Sequence, residues 1–195
     1  MLLQIMTVGH PALRTPAMPI PSGDIGTSEL QRLISLMRDT MRSASGVGLA
    51  APQIGEPIEL IVIEDRPEYI DRVGAEKVAE RQRYPFSFRA LINLQLTTLA
   101  GPSIDFFEGC LSLPGYLAAV PRSLSVRVEA FDENGERVVL EANGWLSRIL
   151  QHEIDHLNGI MYTDRMDPRT FMSKQLYERY WKDMPVETIR TGVIA

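Results

Sequence analysis

Residues 144–159 read Gly-Trp-Leu-Ser-Arg-Ile-Leu-Gln-His-Glu-Ile-Asp-His-Leu-Asn-Gly, and the spacing of these side chains governs how the rest of the chain is read. Leu146, Ile149, Leu150, Ile154 and Leu157 recur at offsets of three and four, the period of a helix with one buried face. Gly159 supplies the stop. On that helix His152 and His156 stand one turn apart and can converge on one metal ion, as in other H-E-x-x-H sequences. Glu153 falls inside the apolar arc, between Ile149 and Leu157. A carboxylate facing a core is costly unless it is protonated, paired or near a cation, so its position favours a metal site over two surface histidines spaced by chance.

A catalytic metal keeps one coordination position open, so a third protein ligand is expected from elsewhere. His10, an Asp or Glu, or Cys110 could supply it. Glu153 need not be a ligand; in such motifs the carboxylate takes a proton from an activated water and passes it on. Cys110 is the single cysteine of the chain, which excludes an intrachain disulfide and leaves one thiol free for chemistry. It sits in Glu108-Gly109-Cys110-Leu111-Ser112-Leu113-Pro114, where the flanking glycine and proline predict an irregular segment rather than a regular buried strand.

Outward from these segments, Leu30, Leu33, Ile34, Met37 and Met41 predict an amphipathic helix over 27–45 with Thr27 or Ser28 as N-cap. It runs into GVGLAAPQIG (46–55), read as a loop whose backbone approaches something closely. Residues 58–64 and 89–96 read as strands, and the charged 65–88 stretch between them as a surface excursion with a short helix. Residues 125–131 and 136–142 flank Asp-Glu-Asn-Gly and predict a hairpin. A last helix is expected over 169–183, bounded by Pro168 and Pro185, and then a short mobile tail from about 184 to 195. Strands do not alternate regularly with helices, so the fold class is α+β. At 195 residues, 45% of them hydrophobic, one compact domain over 1–195 is expected.

The net charge of −5 advertises neither DNA nor an anionic membrane as a partner. No apolar run approaches the roughly 20 residues that cross a bilayer, and no basic segment precedes an apolar one at the N-terminus. A soluble intracellular protein acting on a peptide or small molecule is expected.

GVGLAAPQIG, EGCLSLP and QHEIDHLNG, in that order and at these separations, resemble the three signature blocks of the peptide deformylase family. The resemblance extends from GHPALR to DPRTF, and GWLSRILQHEIDHLNGIMYTDRMDPRTF is similar to the subtype of mitochondria, plastids and some bacteria. It implies antiparallel sheets around a central metal-binding helix. It implies that Cys110, His152 and His156 bind the metal, with water as fourth ligand, and that Glu153 is the general base. Gln53 and the backbone N–H of Leu111 are implied as oxyanion donors. Gly46, Gly48 and Gly109 are expected beside an extended peptide, and Val47, Phe106, Trp145 and Ile149 around its methionine side chain. The implied reaction removes the formyl group from N-formylmethionyl nascent peptides.

The implied metal in cells is Fe(II); zinc, nickel or cobalt also suit one thiolate and two imidazoles. A bacterial cytoplasm is the expected location, with a mitochondrion or plastid as the alternative, and the state expected is monomer or homodimer. Lys174, Tyr177, Arg179, Tyr180, Trp181 and Lys182 offer either a transient ribosome contact or aromatics packed on the domain. Two competing readings are a zinc endopeptidase with a carboxylate as third ligand and a non-catalytic metal-binding or ribosome-associated module.

Overall fold

The computed structural model describes residues 2–191. Its strands are β1 (Gly48–Ala50), β2 (Leu60–Asp65), β3 (Phe86–Thr98), β4 (Ser103–Cys110), β5 (Leu113–Ser123), β6 (Ser125–Phe131), β7 (Arg137–Asn143) and β8 (Met172–Ser173). They form two antiparallel sheets, one in the order β1-β2-β3-β6-β7 and the other in the order β4-β5-β8. The principal helices are α1 (Ser28–Ser43) and α4 (Gly144–Leu157); two short helices, α2 (Pro67–Ile70) and α3 (Ala75–Glu80), lie in the charged excursion.

The run Leu60-Ile61-Val62-Ile63 explains how the larger sheet is covered. Strand alternation sends Leu60 and Val62 into a cluster with Ile34, Met37 and Met41 of α1, and sends Ile61 and Ile63 into another with Ile149, Leu150 and Leu157 of α4. With a helix on each face, β2 has no solvent side to reserve for polar residues. The predicted hairpin of β6 and β7 is present, with Phe131 opposite Arg137 and the Asp132 carboxylate accepting from the N–H groups of Asn134 and Glu136, each at 2.9 Å. Both long helices end as predicted. Thr27 caps α1 by accepting from Leu30 N–H. After α4, Gly159 takes φ +70°, and a Cβ there would lie 2.7 Å from the Arg14 carbonyl oxygen, so only glycine both turns the chain and fits.

Four segments differ from the expectation. Within 46–55, Gly48–Ala50 is a strand, because Ile61 to Ile63 pair with it across the sheet, and Ala51–Ile54 forms a 3-10 turn. Cys110 is the last residue of β4, where the register against β5 jumps from Gly109 opposite Leu117 to Cys110 opposite Leu113; it is a strand end at a sharp turn. The 169–183 segment is not one helix. Met172 and Ser173 pair with Leu117 and Tyr116, Ser173 then caps a single turn at Lys174–Leu176, and a π turn follows at Tyr177–Trp181. The stretch expected as a mobile tail contains the helix Val186–Thr191, whose Ile189 is buried against Phe107, Leu117 and Ala119 and whose Arg190 pairs with Asp105 and Asp167; residues 192–195 lie outside the described residues.

Candidate metal centre

Helix α4 passes the end of β4, and there the side chains of Cys110, His152 and His156 bring their ligand atoms within 4.8 Å of one another. His156 Nε2 is 3.3 Å from Cys110 Sγ. His152 turns Nδ1 to Glu108 Oε2 at 2.9 Å, which fixes the ring and leaves Nε2 for the cluster. One soft sulfur and two imidazole nitrogens form a transition-metal donor set. His10 is elsewhere, capping the turn Pro11–Arg14 at the surface.

The electrostatics of this centre favour a cation. Burial works against a charge on His152, but the Cys110 sulfur and the Glu108 carboxylate outweigh it and raise the imidazole pKa well above its usual value. Burial, with the neighbouring His152, holds His156 well below the usual range and therefore in its neutral, ligating form. Glu153 is 5% exposed, its Oε2 has no hydrogen-bond partner among the described residues, and burial pushes its pKa up to about 7. An orphaned carboxylate oxygen beside a thiol and two imidazoles suits a site that takes up a divalent ion, and the residues fit one.

Glu108 is the hub of a buried ionic row that the sequence reading missed. It accepts from Arg122 Nε and Nη2 at 2.9 and 3.0 Å and from Arg148 Nη1 at 2.6 Å. Arg122 reaches on to Asp155 at 2.5 Å, and Asp155 is also gripped by Arg165 at 2.7 Å. Burial opposes the Glu108 charge, but the hydrogen bond from His152 and the Arg122 guanidinium override it and hold the carboxyl far below its usual range. The available signals were position alone: Glu108 precedes Cys110 by two, Asp155 lies within HEIDH, and Arg148 is one turn before His152.

Gln53 is 1% exposed. Its Oε1 accepts from Ala50 N–H at 2.8 Å, which turns Nε2 toward Ser112 Oγ at 3.1 Å and Cys110 Sγ at 3.5 Å. Gly46 and Gly48 leave space for protein side chains. A Cβ on Gly48 would lie 2.2 Å from Glu153 Oε1, and one on Gly46 would lie 2.8 Å from Leu111 Cδ1. Gly48 is thus matched to the inward placement of Glu153, whereas a side chain at Gly46 would have to displace the end of Leu111, a packing reason the sequence reading did not give.

A cavity of about 650 Å³ opens beside the cluster and is lined by Gly46, Val47, Gly48, Gln53, Gly109, Cys110, Leu111, Trp145, Ile149, His152 and Glu153, among others. Phe106 is not on its wall. The Phe106 ring is covered by the guanidinium groups of Arg81 and Arg148, 5.3 and 5.2 Å from its centroid, while Trp145 lines the cavity with Arg81 and Arg83 stacked on it at 5.1 Å. The charged excursion therefore supports the cavity wall from behind.

A family model described as polypeptide deformylase matches residues 2–172. The chain is 46% identical to chloroplastic peptide deformylase 1A of Solanum lycopersicum, over 86% of this chain and 60% of that protein. It is 43% identical to the mitochondrial peptide deformylase of Homo sapiens over 86% and 69% of the two chains. For peptide deformylase 3 of Streptomyces avermitilis, identity is 42% over 92% and 78%. The match spans 60% and 63% of the two plant relatives' own lengths. Among solved structures, the class I type b peptide deformylase of Acinetobacter baumannii bound to Met-Ala-Ser superposes with a TM-score of 0.75 at 28% identity, covering 85% of this chain and 99% of that one. The peptide deformylase of Synechococcus elongatus in complex with actinonin gives 0.71 at 37% identity, covering 86% and 80%.

Proposed function

This chain belongs to the polypeptide deformylase family, and from that premise we propose that it hydrolyses the N-formyl group from the formylmethionine of newly synthesised polypeptides, releasing formate. The observation that carries the proposal is the junction of a cysteine and two histidines, donor atoms within 4.8 Å, with a buried carboxylate and a fixed glutamine amide at one cavity.

In this reading Cys110, His152 and His156 hold one divalent ion, which supplies a Lewis acid and makes water acidic enough to attack at neutral pH. Glu153 accepts a proton from the attacking water and delivers it to the departing amine nitrogen, and its raised pKa of about 7 suits a group that must do both. The Gln53 Nε2–H and the Leu111 backbone N–H donate to the oxyanion that develops on the formyl oxygen. Both donors are neutral, so neither pairs with Glu153 and removes it from use. Gly46, Gly48 and Gly109 flank the peptide backbone, and Val47, Trp145 and Ile149 receive the methionine side chain. The whole chain is proposed to act as one catalytic domain.

Fe(II) is the proposed ion in cells, with zinc, nickel or cobalt able to replace it in a purified sample. A ferrous ion beside a thiolate exposes Cys110 to oxidation, so an iron-loaded enzyme should lose activity and acquire a modified thiol in air. The proposed setting is the bacterial cytoplasm, although the relatives named chloroplastic and mitochondrial make an organelle the alternative. Among the described residues no helix is long and apolar enough to cross a membrane. For a transient ribosome contact, Lys174, Arg179, Tyr180 and Lys182 remain as candidates on the surface, whereas Tyr177 and Trp181 pack in the cluster around Phe107 and Ile189.

The deciding experiment measures formate release from a formyl-Met peptide by the wild type and by Glu153→Ala, each with its metal content determined. Metal-dependent release by the wild type alone is expected. Cleavage of internal peptide bonds instead, or no metal-dependent formate, sinks the proposal.

A further inference from the structure

Of the charged groups that line the cavity, Glu108 and Arg148 are paired with partners, whereas Glu153 and Lys174 form no ion pair among the described residues. Arg148 is consumed by Glu108 and by backbone carbonyls of Ile104 and Val120, and Glu108 by Arg122 and His152. Glu153 is buried at the metal end. Lys174 is exposed and also part of the cavity lining. Among the described residues its ammonium takes part in no ion pair, not even with Glu178 one turn later. A positive group left uncompensated at a cavity mouth, in a chain of net charge −5, creates a local preference for anions.

Sheet geometry gives its distance from the reacting end. Cys110 closes β4; β4 pairs with β5, and Tyr116 of β5 pairs with Ser173 of β8, the residue before Lys174. Two strand-to-strand steps, Gly109 to Leu117 and Leu117 to Met172, separate the backbones of β4 and β8 by roughly 10 Å, a span that an extended peptide covers in about three residues, and Lys174 follows two residues after Met172. The lining also includes the uncharged Gly115 and Tyr116, the latter stacked on Phe171 at 5.3 Å.

We propose that Lys174 is a specificity-determining residue that reads a carboxylate on the bound peptide about two to three residues downstream of the methionine. The carboxylate is an acidic side chain in a nascent polypeptide or the chain terminus in a short peptide. This inference rests on the peptide-binding reading of the cavity and deepens it. Lys174 touches no reacting atom, so its effect falls on binding and KM, not on kcat.

The test uses the metal-loaded protein and the non-formylated peptides Met-Ala-Glu-amide, Met-Ala-Gln-amide, Met-Ala-Lys-amide and Met-Ala-Gln with a free carboxyl terminus. Binding is followed by isothermal titration calorimetry, and formate release is measured in parallel on the formylated set. The wild type should bind the Glu peptide about two- to fivefold more tightly than the Lys peptide at low salt, with the gap closing as salt rises. Lys174→Gln should level the series and Lys174→Glu should invert it, while the neutral Gln amide binds all three proteins equally. The Glu amide and the free acid separate a side-chain carboxylate from a terminal one. Equal binding of the charged peptides by the wild type, or a preference that survives Lys174→Gln, overturns the proposal. Intact discrimination without formate release would instead count against the hydrolysis reading and uphold the role of Lys174.

Discussion

Replacing Gly48 by alanine should separate metal binding from catalysis. A Cβ at this position lies 2.2 Å from Glu153 Oε1, 2.6 Å from Cδ and 2.9 Å from Cγ. The backbone cannot withdraw, because Gly48 pairs with Ile63 and the Val47 carbonyl accepts from Glu64 N–H at 3.0 Å. The carboxyl must therefore move, by roughly 1 Å to reach an ordinary contact, and a misplacement of that size costs on the order of 10²-fold in rate. Overpacking adds about 1–3 kcal/mol of destabilisation. The three atoms nearest the new methyl all belong to Glu153, so metal occupancy should be unchanged. The assay is kcat/KM for formate release together with metal content and a denaturant titration. A Gly48→Ala protein with full metal and wild-type kcat/KM would refute the placement of Glu153 as the proton-transferring group.

Other outcomes follow from the same geometry. Glu108→Gln strands Arg122 and Arg148 without a full countercharge and should cost about 3–5 kcal/mol in a urea titration, with metal affinity falling about 10- to 100-fold. Because the folded-state carboxyl of Glu108 is held far below 4.5, its contribution to stability is present above that pH and is lost as the pH falls below it. The Gln variant should therefore show a shallower loss of stability than the wild type between about pH 5 and pH 3. Glu153→Ala should keep its metal and lose about 10²- to 10⁴-fold in rate, whereas Cys110→Ser should lose metal first; the reverse pattern in a metal analysis contradicts the assignment of ligand and base. Ile189→Ala should cost about 2–5 kcal/mol of stability while leaving kcat/KM near the wild-type value, and no change in the unfolding midpoint would mean that the last helix does not brace β4 and β5.

Helices α1 and α4 and the β6–β7 hairpin were legible because local pattern and tertiary role coincide in them: one apolar face against a sheet, or alternation with one face exposed. The HEIDH chelate was legible for the same reason, since helix geometry alone brings His152 and His156 together. Strand β1 was hidden in a glycine-rich run because its three residues hold strand geometry only through pairing with Ile61 to Ile63. The 169–183 segment misled for a similar reason, its helical period being overridden where Met172 and Ser173 pair with β5. Phe106 was assigned to the cavity from resemblance, but Arg81 and Arg148 occupy its face. The partnership of Glu108 with Arg122 and Arg148 was illegible, because no periodicity links charged residues on β4, β5 and α4 that meet only in the folded core.

The row Asp155, Arg122, Glu108, Arg148, buried and met at its outer end by the exposed Arg165, has a consequence for how this protein can change over time. Each acid in it is shared by two arginines and Arg122 bridges both acids, so deleting Glu108 leaves buried Arg148 without a carboxylate and Arg122 with one acid in place of two, and leaving a buried charge uncompensated is strongly destabilising. Exchange of the whole group for apolar side chains can be neutral, but the intermediate sequences on the way are not. The residues behind the histidine are therefore held in place by the absence of a passable single-step route as well as by what they do for the metal site. They form a local trap in sequence space, and alteration of the catalytic chemistry on this scaffold would have to begin at the cavity rim, where substitutions such as those at Lys174 leave no buried charge behind.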